Sequence, residues 1–460
     1  MIFFNTNIYY HEDDLDNLIF INVDTNQIDY KYNTNNTEQK DIISPYKEIL
    51  RYIIINGLNT CFQIKLKELN NNIYNTNELF KNNNSKLNEL INKWCWHQYM
   101  NKKCLDYVIP YISDETYEYN MLLYDINYIL DVINTENELN HESDLIISLK
   151  ITIANYLYIE YRNYIKYVDI DDNNIIKDII KDIIDKRIKL LYVYKNNDYQ
   201  IIIHPKVYNR IKKRLLINSK KYNLMLNYND NLDVLLDNYI FCLIFRYSYM
   251  ESGNLQLAIN YNIKKLFKKI GINFELFGSC INTISYNYCS LFYDIEKYFG
   301  SNGNFFDLEI NSGIYWCNPP YDALILDKTA NKLLNILESS KDVVFLITLP
   351  IWDKYTQYKL KNDNIDNIKR NYNKDTIKEL HKDFNIYYLL KDYIMDELVI
   401  PKHRIPYFNY RKYCYINAVN TYMLIVYNKN NINLNSIKDL HNNFDKIIEL
   451  DNINYYLKCY

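Results

Sequence analysis

The sequence predicts a doubly wound α/β domain over residues 236–430, preceded by a mostly α-helical domain at 1–235 and followed by a helical tail at 431–460. Two observations carry this. Past about residue 236, short apolar runs alternate with helical ones, the pattern of a mainly parallel sheet with helices on both faces. Five of the chain's seven glycines (Gly271, Gly278, Gly300, Gly303 and Gly313) then crowd in just ahead of Asn318-Pro319-Pro320-Tyr321. A chain that avoids glycine elsewhere uses it there for positive φ or for close backbone approach to a ligand.

In the first half, Leu79–Trp96 has apolar residues at helical spacing, and Asn174–Tyr194 repeats Ile-Ile pairs at three- and four-residue steps, which predicts a helix with one buried stripe. Trp94-Cys95-Trp96-His97 reads either as core packing or as a base-stacking platform, and residues 137–144 read as a loop. In the second half, Asp237–Tyr249 is an apolar helix with one Arg, Arg246, and Leu255–Ile270 is a basic helix. Strands are expected at Asn273–Phe277, Tyr288–Tyr293, Ile314–Cys317, Val343–Leu349, Ile386–Leu390 and Thr421–Tyr427, with helices at Leu324–Leu337 and Thr376–His381.

Composition narrows the function. The chain has 460 residues and 48% hydrophobic content, enough for two domains with a large core. Its excess of Asn, Ile, Lys and Tyr (50 Tyr) fits an AT-rich genome, so Asn runs carry little information. No apolar run is long enough to cross a bilayer, and Met1-Ile2-Phe3-Phe4 is too short for a secretory signal, so we expect no membrane and an intracellular setting, nucleus or cytoplasm. Nine cysteines lack metal-ligand spacing, so no metal is expected. A net charge of −3 argues against coating nucleic acid by bulk electrostatics. Local positive charge remains at Arg210-Ile211-Lys212-Lys213-Arg214 and at Lys264–Lys269, each of which also reads as a solvated helix face.

The chemistry concentrates at Gly313–Tyr321, a short strand running into two prolines that can neither extend a sheet nor enter a helix interior. The chain turns stiffly at the strand's carboxyl end, the usual ligand edge of an α/β sheet. There the Asn318 side-chain carbonyl and the Pro319 main-chain carbonyl become fixed acceptors, with Pro320 shaping the turn and the Tyr321 ring beside them. Two acceptors on the hydrogens of a planar exocyclic amine stabilise the positive charge that grows as a methyl group arrives. The plainer reading is a Pro-Pro turn after an edge strand. Phe277-Gly278-Ser279 ends a strand in a glycine turn, where an adenosine-containing cofactor normally sits. Phe299-Gly300-Ser301 forms a second such loop, and Asp294 and Asp307 flank it as candidates for a ribose hydroxyl or an amino group, or as ordinary surface carboxylates.

The block from Tyr239 to Trp352 resembles the phosphorylated-CTD-interacting-factor family of cap-specific adenosine N6-methyltransferases. The matching pieces are Tyr239–Ser248, Phe274-Glu275 with Phe277 and Ser279, Tyr288-Cys289-Ser290, Tyr298-Phe299-Gly300-Ser301 with Gly303, Asp307, Asn318-Pro319-Pro320-Tyr321, and Val343–Leu349 closing on Pro350-Ile351-Trp352. The resemblance implies a Rossmann-like methyltransferase domain, S-adenosylmethionine as methyl donor and capped mRNA as substrate. It implies that Asn318 and Pro319 hold the amine and Tyr321 stacks on adenine. Trp352 is a candidate to contact base or cap, and Arg246, Arg210, Arg214, Arg404 and Arg411 are candidates for the cap triphosphate. Four tryptophans (Trp94, Trp96, Trp316, Trp352) lack the two-Trp spacing of a WW module, so that module and its polymerase-tail tether are expected to be missing. The same tetrapeptide also fits a DNA or internal-RNA adenine methyltransferase, and a degenerate cap- or partner-binding relative is the non-enzyme alternative.

Overall fold

The structure, a computed structural model, describes residues 29–32, 43–72, 92, 95, 96, 98–100, 108, 109, 156, 159, 179–219, 221, 222, 232–250, 257–259, 264, 267, 272, 274–283, 285–320, 323–340, 342–351, 385–400, 407–410, 413–416 and 419–428. In chain order the elements are β1 (Asp29–Tyr32), α1 (Pro45–Asn72), β2 (Ile180–Ile184), β3 (Arg187–Tyr194), β4 (Asn197–Ile203), α2 (Pro205–Ser219), α3 (Leu232–Tyr249) and β5 (Leu257–Ile259). Then come β6 (Phe274–Gly278), β7 (Asn287–Ser290), α4 (Tyr293–Glu296), β8 (Leu308–Cys317), α5 (Ala323–Ser339), β9 (Val343–Ile351), α6 (Asn385–Leu390), β10 (Ile394–Ile400), β11 (Tyr407–Asn409), β12 (Cys414–Ile416) and β13 (Asn420–Tyr427). Two compact units result: one of Met1–Gln39, His204–Tyr222 and Gln256–Tyr460, the other of Lys40–Ile203 and Asn223–Leu255. The units interleave along the chain instead of following one another, and residues 431–460 lie outside the described residues.

The first unit is mixed α/β. Its main sheet runs β10-β13-β9-β8-β6-β7, with β7, β6, β8 and β9 parallel, β13 and β10 antiparallel to their neighbours, and β1 added beside β8. β8 serves two partners in succession. Its first half pairs β1 at 308–312 and its second half pairs β9 from Gly313 onward, with Gly313 at φ 122° where the strand changes neighbour. Side chains alternate across the sheet. Tyr315, Cys317, Phe345, Ile347 and Leu424 pack under Leu326, Leu333 and Leu337 of α5 and Ile386 and Leu390 of α6. Trp316, Val344, Leu346, Met423 and Ile425 face the other way, against Phe267, Ile259 and Tyr407. That second face is therefore covered partly by a small antiparallel sheet, β12-β11-β5, and not by helices alone.

Two expectations fail here for identifiable reasons. Ile386–Leu390 lies in helix α6, not a strand; a five-residue apolar run has no decisive period, and burial of Ile386 and Leu390, four apart, settles it. Leu257–Ile259 is a strand where the basic helix was expected to begin, although residues 264 and 267 are helical.

In the second unit, α1 packs against α3, and β2-β3-β4 form an antiparallel sheet. Within Asn174–Tyr194, expected as a helix, residues 180–194 are instead the first hairpin of that sheet. Burial along β3 alternates strictly (Ile188, Leu190, Tyr192 and Tyr194 in), a period of two. Asp185-Lys186 and Lys195-Asn196 hold φ of 48° and 61°, and of 48° and 62°, the paired left-handed turns that match strand twist. Among its described residues the unit is thus helices with a β-meander, and the mainly helical domain expected is not confirmed. Leu79–Trp96 lies mostly outside the described residues, and Thr376–His381 entirely so.

Candidate active site

β6 leads onward to β7 on one side, while β8 returns on the other side of β6. This reversal makes a topological switch point at the carboxyl ends of β6 and β8, the place where α/β sheets bind ligands. Trp316 pairs with Glu275, so continuing the register two residues brings Asn318 level with Phe277. Asn318 and Pro320 are half-buried there and Pro319 is buried; behind them the Cys317 thiol is pushed up by burial.

The turn after β6 is held by its own atoms. The Ser279 N–H donates to Asn282 Oδ1 (2.9 Å), the N–H groups of Asn282 and Thr283 donate to Ser279 O (3.1 and 2.9 Å), and the Cys280 N–H donates to Glu296 Oε2 (2.9 Å). Beneath it lies Glu275, buried, receiving the Thr283 hydroxyl at 2.6 Å and standing 3.7 Å from Lys264 Nζ. Burial pushes the Glu275 carboxyl up, against Lys264, Thr283 and Arg214, which pull it down. Gly278 lies close against this carboxylate: a Cβ there would stand 3.3 Å from Glu275 Cδ, so the side chain would have to give by a few tenths of an ångström. Lys264, from the basic run read either as local positive charge for nucleic acid or as a solvated helix face, is buried over the Trp316 ring at 4.7 Å.

The second glycine loop lies along β7. Asn302 N–H donates to Tyr288 O (2.8 Å), Ser290 N–H to Gly303 O (2.9 Å), and the Ser290 and Ser301 hydroxyls are 2.7 Å apart. Gly300 and Gly303 hold φ of 95° and 121°, conformations that favour glycine. Glu296, fully buried, takes the Tyr288 hydroxyl at 2.8 Å as well as Cys280 N–H, so one carboxylate ties the two loops together. Burial, then Glu296, pushes the Tyr288 phenol well up. Phe299, Ser279, Ser301 and Asp294 are buried in this assembly, while Phe277, Gly278 and Asp307 are half-buried; Phe277 meets Phe305 edge-on at 5.1 Å. Hydroxyls, two carboxylates and an aromatic ring at one sheet edge suit the ribose, amino group and adenine of a nucleoside cofactor.

The arginines fall elsewhere. Arg246, expected at a triphosphate, is instead fully buried in the second unit, its Nε 2.9 Å from Glu48 Oε1 and its Nη2 2.6 Å from Oε2. Arg214 donates to Ser285 O (2.7 Å) and lies over the Tyr288 ring (5.2 Å), bracing the chain after the first turn. Arg210 lies over Tyr410 at 4.5 Å, buried. Tyr321, Trp352, Arg404 and Arg411 lie outside the described residues. Trp96 is core, its indole N–H on Met250 O at 3.1 Å. Sequence reading gave Glu275 no role and passed over Asn282, Thr283 and Glu296; a carboxylate inside an apolar strand, as in Phe-Glu-Leu-Phe-Gly, was the available signal. Among the described residues no helix is long and apolar enough to span a membrane, and no cluster of His, Cys, Asp and Glu is arranged to hold a metal.

A mixed α/β unit with a partly parallel sheet, compatible with a Rossmann-like fold, carries an Asn-Pro-Pro turn at its ligand edge. A family model described as "Phosphorylated CTD interacting factor 1 WW domain" matches residues 195–381. Over 121 residues the chain is 32% identical to the Homo sapiens and Mus musculus proteins named mRNA (2'-O-methyladenosine-N(6)-)-methyltransferase, covering 25% of this chain. The chain thus spans only 17% of the length of these curated relatives. The family match corrects the expectation that the WW module is lacking and its tether unlikely. A model bearing that description covers residues 195–381, so tryptophan spacing was not a sufficient ground for setting it aside.

Proposed function

We propose that this protein is an S-adenosylmethionine-dependent methyltransferase that modifies N6 of the first transcribed adenosine beside the 7-methylguanosine cap of mRNA, working inside the cell in nucleus or cytoplasm. The carrying observation is Asn318-Pro319-Pro320 at the carboxyl end of β8, level with the glycine turn of β6 across the switch point. The names of the human and mouse relatives support it. In this reading the protein is a doubly wound Rossmann-like methyltransferase domain with an accessory unit.

When bound, S-adenosylmethionine supplies an electrophilic methyl group. Phe277 and Phe299 bound the adenine site, Gly278 and Ser279 leave room for the nucleoside, Gly300 and Ser301 shape the second wall, and Asp294 and Asp307 attract hydroxyl and ammonium groups. Asn318 Oδ1 and Pro319 O accept the two hydrogens of the target amine, stabilise the charge that develops on nitrogen, and orient its lone pair. Tyr321 holds the base by stacking, which fixes the line of attack. The two prolines fix φ at 319 and 320, so the Pro319 carbonyl is held in position before the amine arrives.

The test is mass spectrometry of cap dinucleotides after incubation of capped and uncapped RNA of one sequence with isotopically labelled donor. Label on the cap-adjacent adenosine of capped RNA only is the expected result. Equal labelling of both RNAs would remove the cap requirement, and no label on either would remove the activity.

A further inference from the structure

The second unit carries an open cavity of about 610 Å³, lined by Tyr52, Ile53, Asn56 and Gly57 of α1, by Asn197, Asp198 and Tyr199 of β4, and by Tyr156. That volume is in the range of ligand pockets. Its aromatic walls are braced from behind: Tyr52 meets Tyr199 at 6.0 Å and 77°, Phe245 at 5.3 Å and Tyr249 at 5.6 Å, and Tyr199 meets Phe245 at 6.2 Å and 88°. Gly57 stands inside a helix, where glycine costs roughly 1 kcal/mol relative to alanine. A Cβ at 57 would collide with the Tyr156 hydroxyl, which reaches the Ile54 carbonyl at 3.4 Å. The helix thus accepts a weak residue in order to seat a third phenol at the cavity.

The lining chemistry selects the occupant. Asp198 is the one formal charge among the described lining residues, and Lys195 beside it lies close enough to act on Tyr199, so the two charges offset and a neutral planar group is favoured over a lone phosphate. Asn56 and Asn197 each offer both a donor and an acceptor. A methylated ammonium cannot satisfy them and a guanidinium offers donors only, whereas the edge of a purine base presents both kinds and its ring stacks on tyrosine. We propose that this cavity receives a purine nucleobase of the RNA substrate, with phosphates left outside it; the proposal rests on the RNA reading above. The base comes either from the cap guanosine or from a nucleotide of the chain.

The full-length protein is titrated calorimetrically with 7-methyl-GTP, GTP and an uncapped pentaribonucleotide, in the wild type and in Asn56→Trp and Asp198→Lys. Asn56 is exposed on a helix and Asp198 is exposed at a hairpin end, so both variants are expected to fold, which circular dichroism checks. At least a tenfold loss of affinity in Asn56→Trp for one of these probes supports the proposal. A preference for 7-methyl-GTP that Asp198→Lys abolishes assigns the cap base, and a loss confined to the oligonucleotide assigns a chain base. Wild-type protein binding none of the three, or Asn56→Trp binding all as tightly as wild type, overturns it. Titration with S-adenosylmethionine runs alongside, so a failed cavity with retained donor binding leaves the methyltransferase reading standing.

Discussion

In the second unit the Arg246 guanidinium is buried against a carboxylate; in the first, Arg214 is buried against main-chain carbonyls and the face of Tyr288. Glu48 gathers Arg246, Arg51 at 3.0 Å and the Tyr249 hydroxyl at 2.6 Å, so charge and hydrogen bonds close within one cluster joining α1 to α3. Burial alone would raise the Glu48 carboxyl, but Arg246, then Arg51 and Tyr249, outweigh it and hold it below its usual value. Around Arg214 burial dominates and lowers the guanidinium, while nearby Arg210 keeps two buried nitrogens, Nε and Nη2, without hydrogen-bond partners. The contrast shows that an arginine's role is set by what closes around it. A carboxylate makes it a strut; carbonyls let it position a loop.

The comparison can be broken most sharply at Arg246. Arg246→Met leaves Glu48 buried without its main partner and should cost about 3–5 kcal/mol of stability, read by denaturant unfolding. A loss below about 1 kcal/mol would mean the cluster is not a strut. Next in size is a change outside both arginine sites. Asn318→Ala should lower methyl transfer by roughly 3 kcal/mol of transition-state stabilisation in single-turnover assays, with the unfolding curve unmoved. Arg214→Met follows, at about 1–3 kcal/mol, because its bond to Ser285 O is lost from a buried site; it should weaken S-adenosylmethionine binding by loosening the turn, and Arg210→Met should cost less. The smallest effect appears only in acid. A carboxyl whose folded value is depressed contributes stability above its usual value near 4.5 and loses it as pH falls through the depressed one. Unfolding free energy should therefore decline below pH 4.5 in wild type and decline less steeply in Glu48→Gln.

Much of the backbone around the carboxyl ends of β6 and β8 was legible in the order of residues alone. Proline pairs and scarce glycines act through their own backbones, so Asn318–Pro320, Gly300, Gly303 and Gly313 could be picked out, and strands β6, β9 and β13 followed from their apolar runs. The hairpin at 180–194 was not legible. Ile-Ile steps fit either period when no glycine marks the turn, and Asp185-Lys186 gives little sign of a left-handed pair. Arg246 was misplaced because a lone Arg in an apolar helix looks the same whether it meets phosphate or Glu48, which lies 198 residues away in sequence.

By itself the sequence determined the turns that proline and glycine impose and which residue types could meet an amine or a nucleoside, since these depend on local covalent geometry and side-chain chemistry. Only the tertiary structure decided which charges are partnered inside and which loops share a carboxylate. Pairings such as Glu48 with Arg246, or Glu296 with Cys280 and Tyr288, exist only once distant segments pack and exclude water.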